Sequence, residues 1–346
     1  MSRLRHSRDS RRRLVIRDDT NLKLDPITID TPDGQTWDGL ALIPKGGDPQ
    51  RRRVAVIVVH GSVGNYITGV PRRVAHGLAL AGFTVLSVNT RMANYGVFFG
   101  GGLFHRTPID MDSWVDLAKR MGHTEVVLVG FSMGASIVTY YQATRHRPEV
   151  VAVGALAHPA SLPDSLKRRW ERFGSQPDYE TVVRDAWLMI GGISENDALD
   201  DEIFVVRRAT GPTDEPAHAE IWTYRTWWFS RGPQAHAAMS RRHIGRLGVP
   251  LAMIQGADDL IVPPSDGEEL ARLAHEGGVP DVFHSVVPGA NHVFDGRLGE
   301  AVERLVDWMV RVVMPRIEER RRAAKSAPTS AVSERRDPDQ ERSTAG

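Results

Sequence analysis

The sequence predicts an α/β fold: a doubly wound, mostly parallel sheet entered through an N-terminal antiparallel hairpin and interrupted by an inserted helical cap. Three observations predict it. Short, β-branched, nearly unbroken apolar runs recur along the chain, helix-compatible stretches separate them, and one long region breaks that alternation.

The hairpin comes first. Between residues 27 and 44, Ile-Thr-Ile-Asp and Thr-Trp-Asp-Gly-Leu-Ala-Leu-Ile alternate apolar with polar around the turn signal Thr31-Pro32-Asp33-Gly34, as paired antiparallel strands do. The texture then changes. Residues 54–59, 84–88, 125–129, 150–156, 249–254 and 282–287 are nearly continuous apolar runs, the pattern of strands covered on both faces. Helices are predicted over 72–81, 111–121, 133–145 and 264–275, and the last helix carries Leu298, Ala301, Val302, Leu305, Met309, Val312 and Val313 on one stripe. Strand and helix alternating in this way imply a doubly wound sheet.

Residues 160–242 interrupt the alternation. They are charged and helix-prone, and hold Trp170, Trp187, Trp222, Trp227 and Trp228 out of eight tryptophans in the chain. They are predicted to form a helical cap on a core made of 21–159 and 243–315, the tryptophans building the cap's own small interior. Residues 1–20 read as a flexible basic tail, and 316–346, rich in Glu, Arg, Ala, Ser and Pro without periodicity, as a disordered charged tail.

Composition narrows the function classes. Of 346 residues, 41% are hydrophobic and 25% charged, and the net charge is +1, which gives no reason to expect nucleic acid or a membrane as partner. Arginine is the chain's habitual cation, so an isolated arginine cluster carries little weight. There is no cysteine, which excludes disulfides, thiolate metal sites and a cysteine nucleophile. Arg11-Arg12-Arg13 resembles the start of an export signal, but Arg17-Asp18-Asp19 stands where the apolar stretch should follow. The expected location is the cytoplasm.

The chemistry concentrates at predicted strand ends. The run ending at Val129 leads into Gly130-Phe131-Ser132-Met133-Gly134 and then a helix, the setting that turns a G-x-S-x-G match into a nucleophile elbow. A serine hydroxyl needs a base within hydrogen-bond reach and a third group to orient that base. Asp258-Asp259 follows the strand 249–254, and His292 follows the strand 282–287. Both lie at carboxyl ends of strands, where open α/β sheets assemble their sites.

With these motifs and the chain order Ser, Asp, His, the sequence resembles the α/β-hydrolase superfamily over roughly residues 27 to 315. Its acid stands in a G-x-x-D-x-x-V-P setting and its histidine in G-A-x-H-x-F. The resemblance puts the acid on Asp259, with the adjacent Asp258 as the alternative register, and the base on His292. It implies an oxyanion hole formed by the backbone N–H of Met133 and, from the loop His60-Gly61-Ser62, the N–H of Ser62. His60 would brace that loop. The H-G-G-G run of one lipase and esterase group is absent.

Two further features stay open. The loop Tyr95 to Phe104 has glycines that could bring aromatics to a substrate, or it is plain surface; it lacks the spacing of a phosphate cradle. His158-Pro159 marks the exit into the cap, as a hinge. The resemblance implies acyl chemistry without cofactor or metal, the hydrolysis of a carboxylic ester, and the aromatic-rich cap and loop suggest a moderately large, partly apolar small-molecule substrate. The same triad could serve amides, thioesters, C–C bonds or acyl transfer, and a non-catalytic binding protein is the remaining alternative. Oligomeric state is not legible.

Overall fold

Pairing in the sheet follows from where apolar residues can be covered. The structure, a computed structural model, describes residues 21–62, 64–93, 102–190, 202–207 and 219–326. The N-terminal tail, residues 95–101 of the glycine-rich loop and the chain after 326 lie outside the described residues.

In chain order, the elements begin with β1 (Leu22–Asp30), β2 (Thr36–Pro44), α1 (Pro49–Arg52), β3 (Val54–Val59), α2 (Gly69–Leu80), β4 (Thr84–Val88) and α3 (Thr107–Arg120). They continue with β5 (Glu125–Phe131), α4 (Met133–Arg145), β6 (Val150–Leu156), α5 (Leu162–Arg172), α6 (Tyr179–Ile190), β7 (Ile203–Arg207) and β8 (Ala219–Thr223). The chain then forms α7 (Tyr224–Arg231), β9 (Leu251–Gly256), α8 (Pro264–Glu276), β10 (Val282–Val287), α9 (Leu298–Trp308), a π-helical turn (Met309–Val313) and α10 (Met314–Ser326).

The main sheet has eight strands in the order β1-β2-β4-β3-β5-β6-β9-β10. The first two pair with each other, and β2 with β4, in antiparallel fashion, while the remaining neighbours are parallel. Along β3, Ala55, Ile57 and Val59 point into one hydrophobic cluster, with α3, α4 and α8. Val54, Val56 and Val58 point into the other, with α2 and α9. Successive side chains of a strand face opposite sides, so two cores require an unbroken apolar run. The hairpin is tied to this frame by charge: Arg91 pairs with Asp110 at 2.7 Å and Asp33 at 2.9 Å, and Trp37 Nε1 donates to Asp110 at 3.0 Å.

Two regions depart from expectation. Between β6 and β9 the insertion is not wholly helical, because β7 and β8 form an antiparallel ribbon with Phe204 opposite Trp222. Phe204 and Val206 face inward while their neighbours face out, a period of two that the apolar outward residues Ile203 and Val205 hide in the sequence. This segment has its own core of Leu166, Trp170, Tyr179, Phe204, Trp222 and Trp227. Trp187 stays 49% exposed.

The final helix does not end near residue 315 but runs to Ser326. Ile317 is buried against the core and Arg321 pairs with Glu125 at 2.7 Å, so this charged stretch is held by the sheet's lower edge. No helix among the described residues is long and apolar enough to cross a membrane.

Candidate active site

Ser132 sits between β5 and α4 at φ 53° and ψ −118°, a left-handed conformation that costs a non-glycine residue roughly 1–3 kcal/mol. The surroundings hold it there. Its N–H donates to Leu156 O on β6 at 2.8 Å. A Cβ on Gly130 would lie 2.3 Å from the Gly134 backbone, and one on Gly134 would lie 2.5 Å from the carbonyls of Val59 and His60. Both glycines are therefore required for the elbow to pack between its own helix and β3.

His292 and Asp259 come from loops stitched to each other. Ala257 N–H donates to Val287 O at 3.0 Å and Asp258 N–H to Ala290 O at 2.9 Å. A Cβ on Gly256 would meet Ala290 O at 2.4 Å, so only glycine lets the acid loop lie against the histidine loop. Asp259 is buried at 3% exposure and accepts from Ile261 N–H and Val262 N–H, each at 2.8 Å, through Oδ1. Its Oδ2 lies 2.8 Å from His292 Nδ1. Asp258, the alternative register, points to solvent.

A carboxylate only accepts, so Nδ1 carries the ring proton and Nε2 is free to accept. Nε2 lies 3.1 Å from Ser132 Oγ. Serine, histidine and aspartate are thus in one hydrogen-bonded chain, with Phe131 flanking the imidazole at 5.4 Å between ring centroids.

Met133 opens α4, where the first N–H groups have no acceptor within the helix. Ser62 lies beside it on the loop after β3. His60 is fully buried, its Nδ1 2.8 Å from Gly61 O and its Nε2 3.1 Å from Thr90 Oγ1. Gly61 O only accepts, which assigns the proton to Nδ1. Burial pushes this imidazole down to about 4, so it stays neutral and ties the Ser62 loop to the end of β4.

His158 is also fully buried, near Thr139 and Gln255, and its pKa is pushed down to about 3 by burial. It lies outside the serine's hydrogen-bonded chain. Among the described residues no group of three His, Asp or Glu side chains could hold a metal.

Sequence reasoning missed Arg231. This last residue of α7 is 4% exposed and donates through Nη2 to Ser62 Oγ at 2.8 Å and to Met133 Sδ at 3.3 Å. It lines a cavity of about 230 Å³ together with Ser132, His292, Leu162, Trp222 and Val262. A second cavity of about 400 Å³ shares Ser62, Phe131 and Val293 with the first. Ser132 therefore faces a narrow, charged lobe with a wider one alongside. The only local signal for Arg231 is its place at the end of the aromatic helix Tyr224-Arg225-Thr226-Trp227-Trp228-Phe229-Ser230-Arg231.

Residues 56–308 match the alpha/beta hydrolase family. The fold is similar to that of an esterase of Pyrococcus furiosus, at 17% identity over 85% of this chain and 92% of that one, with a TM-score of 0.57. It is similar to Est1E from Butyrivibrio proteoclasticus with ferulic acid bound, at 15% identity over 83% and 99% of the two chains and a TM-score of 0.57. The esterase domain of a Rhodothermus marinus protein shares 15% identity over 84% and 98%, with a TM-score of 0.54. A search of curated protein sequences finds no match. At these identities the solved structures speak for the fold.

Proposed function

The chain belongs to the alpha/beta hydrolase family, and from that premise we propose that it hydrolyses carboxylic esters through an acyl-enzyme on Ser132. The observation that carries this reading is the relay itself, with Ser132 Oγ 3.1 Å from His292 Nε2 and His292 Nδ1 2.8 Å from Asp259. As Ser132 Oγ attacks the ester carbonyl, His292 takes its proton. The resulting imidazolium is stabilised by Asp259, and the tetrahedral oxyanion accepts from the N–H groups of Ser62 and Met133.

Collapse of the intermediate breaks the bond to the alcohol oxygen, which leaves with the proton from His292. Water then attacks the acyl carbonyl as it gives a proton to the same imidazole, and collapse of this second intermediate breaks the bond to Ser132 Oγ, which takes that proton back as the acid leaves. Esters ask least of a single relay, because an alkoxide leaves more readily than an amide nitrogen. The insertion acts as a cap: it supplies Leu162, Trp222 and Arg231 to the charged lobe. That lobe is smaller than the roughly 300–1,000 Å³ of pockets for drug-sized ligands. It favours a compact substrate arm there, while the wider cavity of about 400 Å³ alongside has room for a moderately large, partly apolar one.

The test is covalent. A fluorophosphonate should label Ser132, and purified protein should hydrolyse 4-nitrophenyl acetate; Ser132→Ala should abolish labelling and lower kcat by about 10⁴–10⁶-fold. Unlabelled wild-type protein without turnover would leave a binding protein on this scaffold. A parallel panel of amides, thioesters and acceptor alcohols separates the other uses of the same triad.

A further inference from the structure

Arg231 is a buried charge whose partners are all neutral. Nη1 donates to Ser230 O at 3.2 Å, Nη2 to the Ser62 hydroxyl and the Met133 sulfur, and the guanidinium lies 5.8 Å from the centre of the Trp222 ring. Among the described residues no carboxylate is within ion-pairing distance of it. Glu220 attracts it through space but gives its oxygens to Arg169, at 3.1 and 3.3 Å, and to Trp222 Nε1, at 3.2 Å.

A guanidinium taken out of water without a counter-ion is costly to a fold. Glutamine would hold the Ser62 hydroxyl and methionine would pack on Trp222 without that cost. Among the described residues no anion repays that cost, which leaves the cavity suited to a ligand that does. Among the described residues the lining carries two guanidiniums, Arg169 and Arg231, against the one carboxylate of Glu220, a net positive lobe. Burial and the neighbouring Arg169 push the Arg231 pKa down to about 9, which still leaves it protonated at neutral pH.

We propose that Arg231 is a specificity-determining residue and that the substrate is an acidic ester, one arm of which places a carboxylate against its guanidinium. The inference rests on the ester-hydrolase reading and extends it. A guanidinium has five N–H donors, and its charge strengthens a hydrogen bond from any of them to a carboxylate. Three donor contacts are used within the protein, which leaves donors for the ligand. Because Arg231 also touches Ser62 and Met133, the bound carboxylate would lie close to the reacting carbonyl, on a short arm suited to a lobe of about 230 Å³.

The experiment compares acid and amide members of matched pairs. On the acyl side these are 4-nitrophenyl hemiadipate and its terminal amide, and on the alcohol side 4-acetoxybenzoate and 4-acetoxybenzamide. In one pair, wild-type kcat/KM should favour the acid by about 10- to 100-fold, the scale of a charge-assisted hydrogen bond. Arg231→Met should bring that ratio close to one, and Arg231→Lys should keep part of it.

If neither pair shows a preference, or if Arg231→Met lowers both members alike, the residue merely braces the Ser62 loop and the proposal is overturned. Calorimetric binding of the same compounds to Ser132→Ala protein gives a readout independent of turnover. Selective binding of the acids without any hydrolysis by wild type would sink the esterase reading and keep this one. Hydrolysis indifferent to charge would do the reverse.

Discussion

The strand-end loops of the core and the insertion between β6 and β9 solve opposite problems with the same kind of residue. In the core, every buried polar group of the relay has its complement within the chain: Asp259 takes three N–H bonds and His292 is held on both ring nitrogens. In the insertion, Arg231 is buried with no carboxylate paired to it among the described residues. A group satisfied by its own fold can be kept rigid and ready to react, whereas a group left unmatched is available to choose what binds. The division assigns chemistry to the sheet and selection to the insertion, and three measurements can break or sharpen it.

The largest effect should come from the core's orienting acid. Asp259→Asn would present an amide to His292 Nδ1 and favour the wrong tautomer, lowering kcat by roughly 10³–10⁴-fold. Asp258→Asn, one residue away and facing solvent, should change kcat by less than about threefold, in line with ordinary surface substitutions. Steady-state kinetics on 4-nitrophenyl acetate reads both. Equal losses would mean that the backbone of this turn, rather than the Asp259 carboxylate, orients the base.

A smaller effect, confined to selection, is expected from the insertion's centre. Trp227 is fully buried, with ring centroids of Trp170, Tyr179 and Phe204 at 6.4, 5.8 and 6.3 Å. Trp227→Ala should remove about 3–5 kcal/mol of packing and loosen α7, so that preference for an acidic ester falls toward one while 4-nitrophenyl acetate turnover drops only severalfold. Hydrogen exchange would show lost protection in α5 to α7 with β3, β5 and β6 unchanged. Loss of protection throughout would mean that the two regions unfold as one unit.

Legibility in the sequence follows the same division. Val54–Val59 and Glu125–Phe131 are readable as strands because two-sided burial leaves no polar position after Glu125, at the strand's first residue, to blur them. The elbow glycines are readable because backbone crowding excludes other residues at fixed spacing. Strand order is not written locally, since β2 pairs with β4 and β3 with β5 across intervening chain. Asp258 and Asp259 are alike in sequence and differ only once the turn's N–H groups face one of them. Arg231 is one arginine in an arginine-rich chain, and its burial comes from tertiary packing alone. The β7–β8 ribbon is similarly hidden, because the outward Ile203 and Val205 are as apolar as the inward Phe204 and Val206.

The smallest effect should be on stability in mild acid, and it belongs to the core. His60 and His158 are both fully buried, with pKa values pushed down to about 4 and about 3. An unfolded histidine takes up a proton near pH 6.5, so below that pH the unfolded chain binds more protons than the folded one. Their stabilising contribution is complete above pH 6.5 and declines as pH falls toward the folded values, by up to about 1.4 kcal/mol per pH unit for each ring. Glu149, held down to about 2 by Arg147 and Lys119 despite burial, acts in the same direction but over a lower window, below its usual value near 4.5. His158→Leu removes one of the two titrating rings and a buried Nδ1 that has no partner among the described residues. The stability difference between pH 7.5 and pH 5, read from urea midpoints, should therefore shrink by on the order of 2 kcal/mol. An unchanged difference would mean that His158 reaches solvent and protonates in the folded state, and that the core beneath the elbow is less sealed than its packing implies.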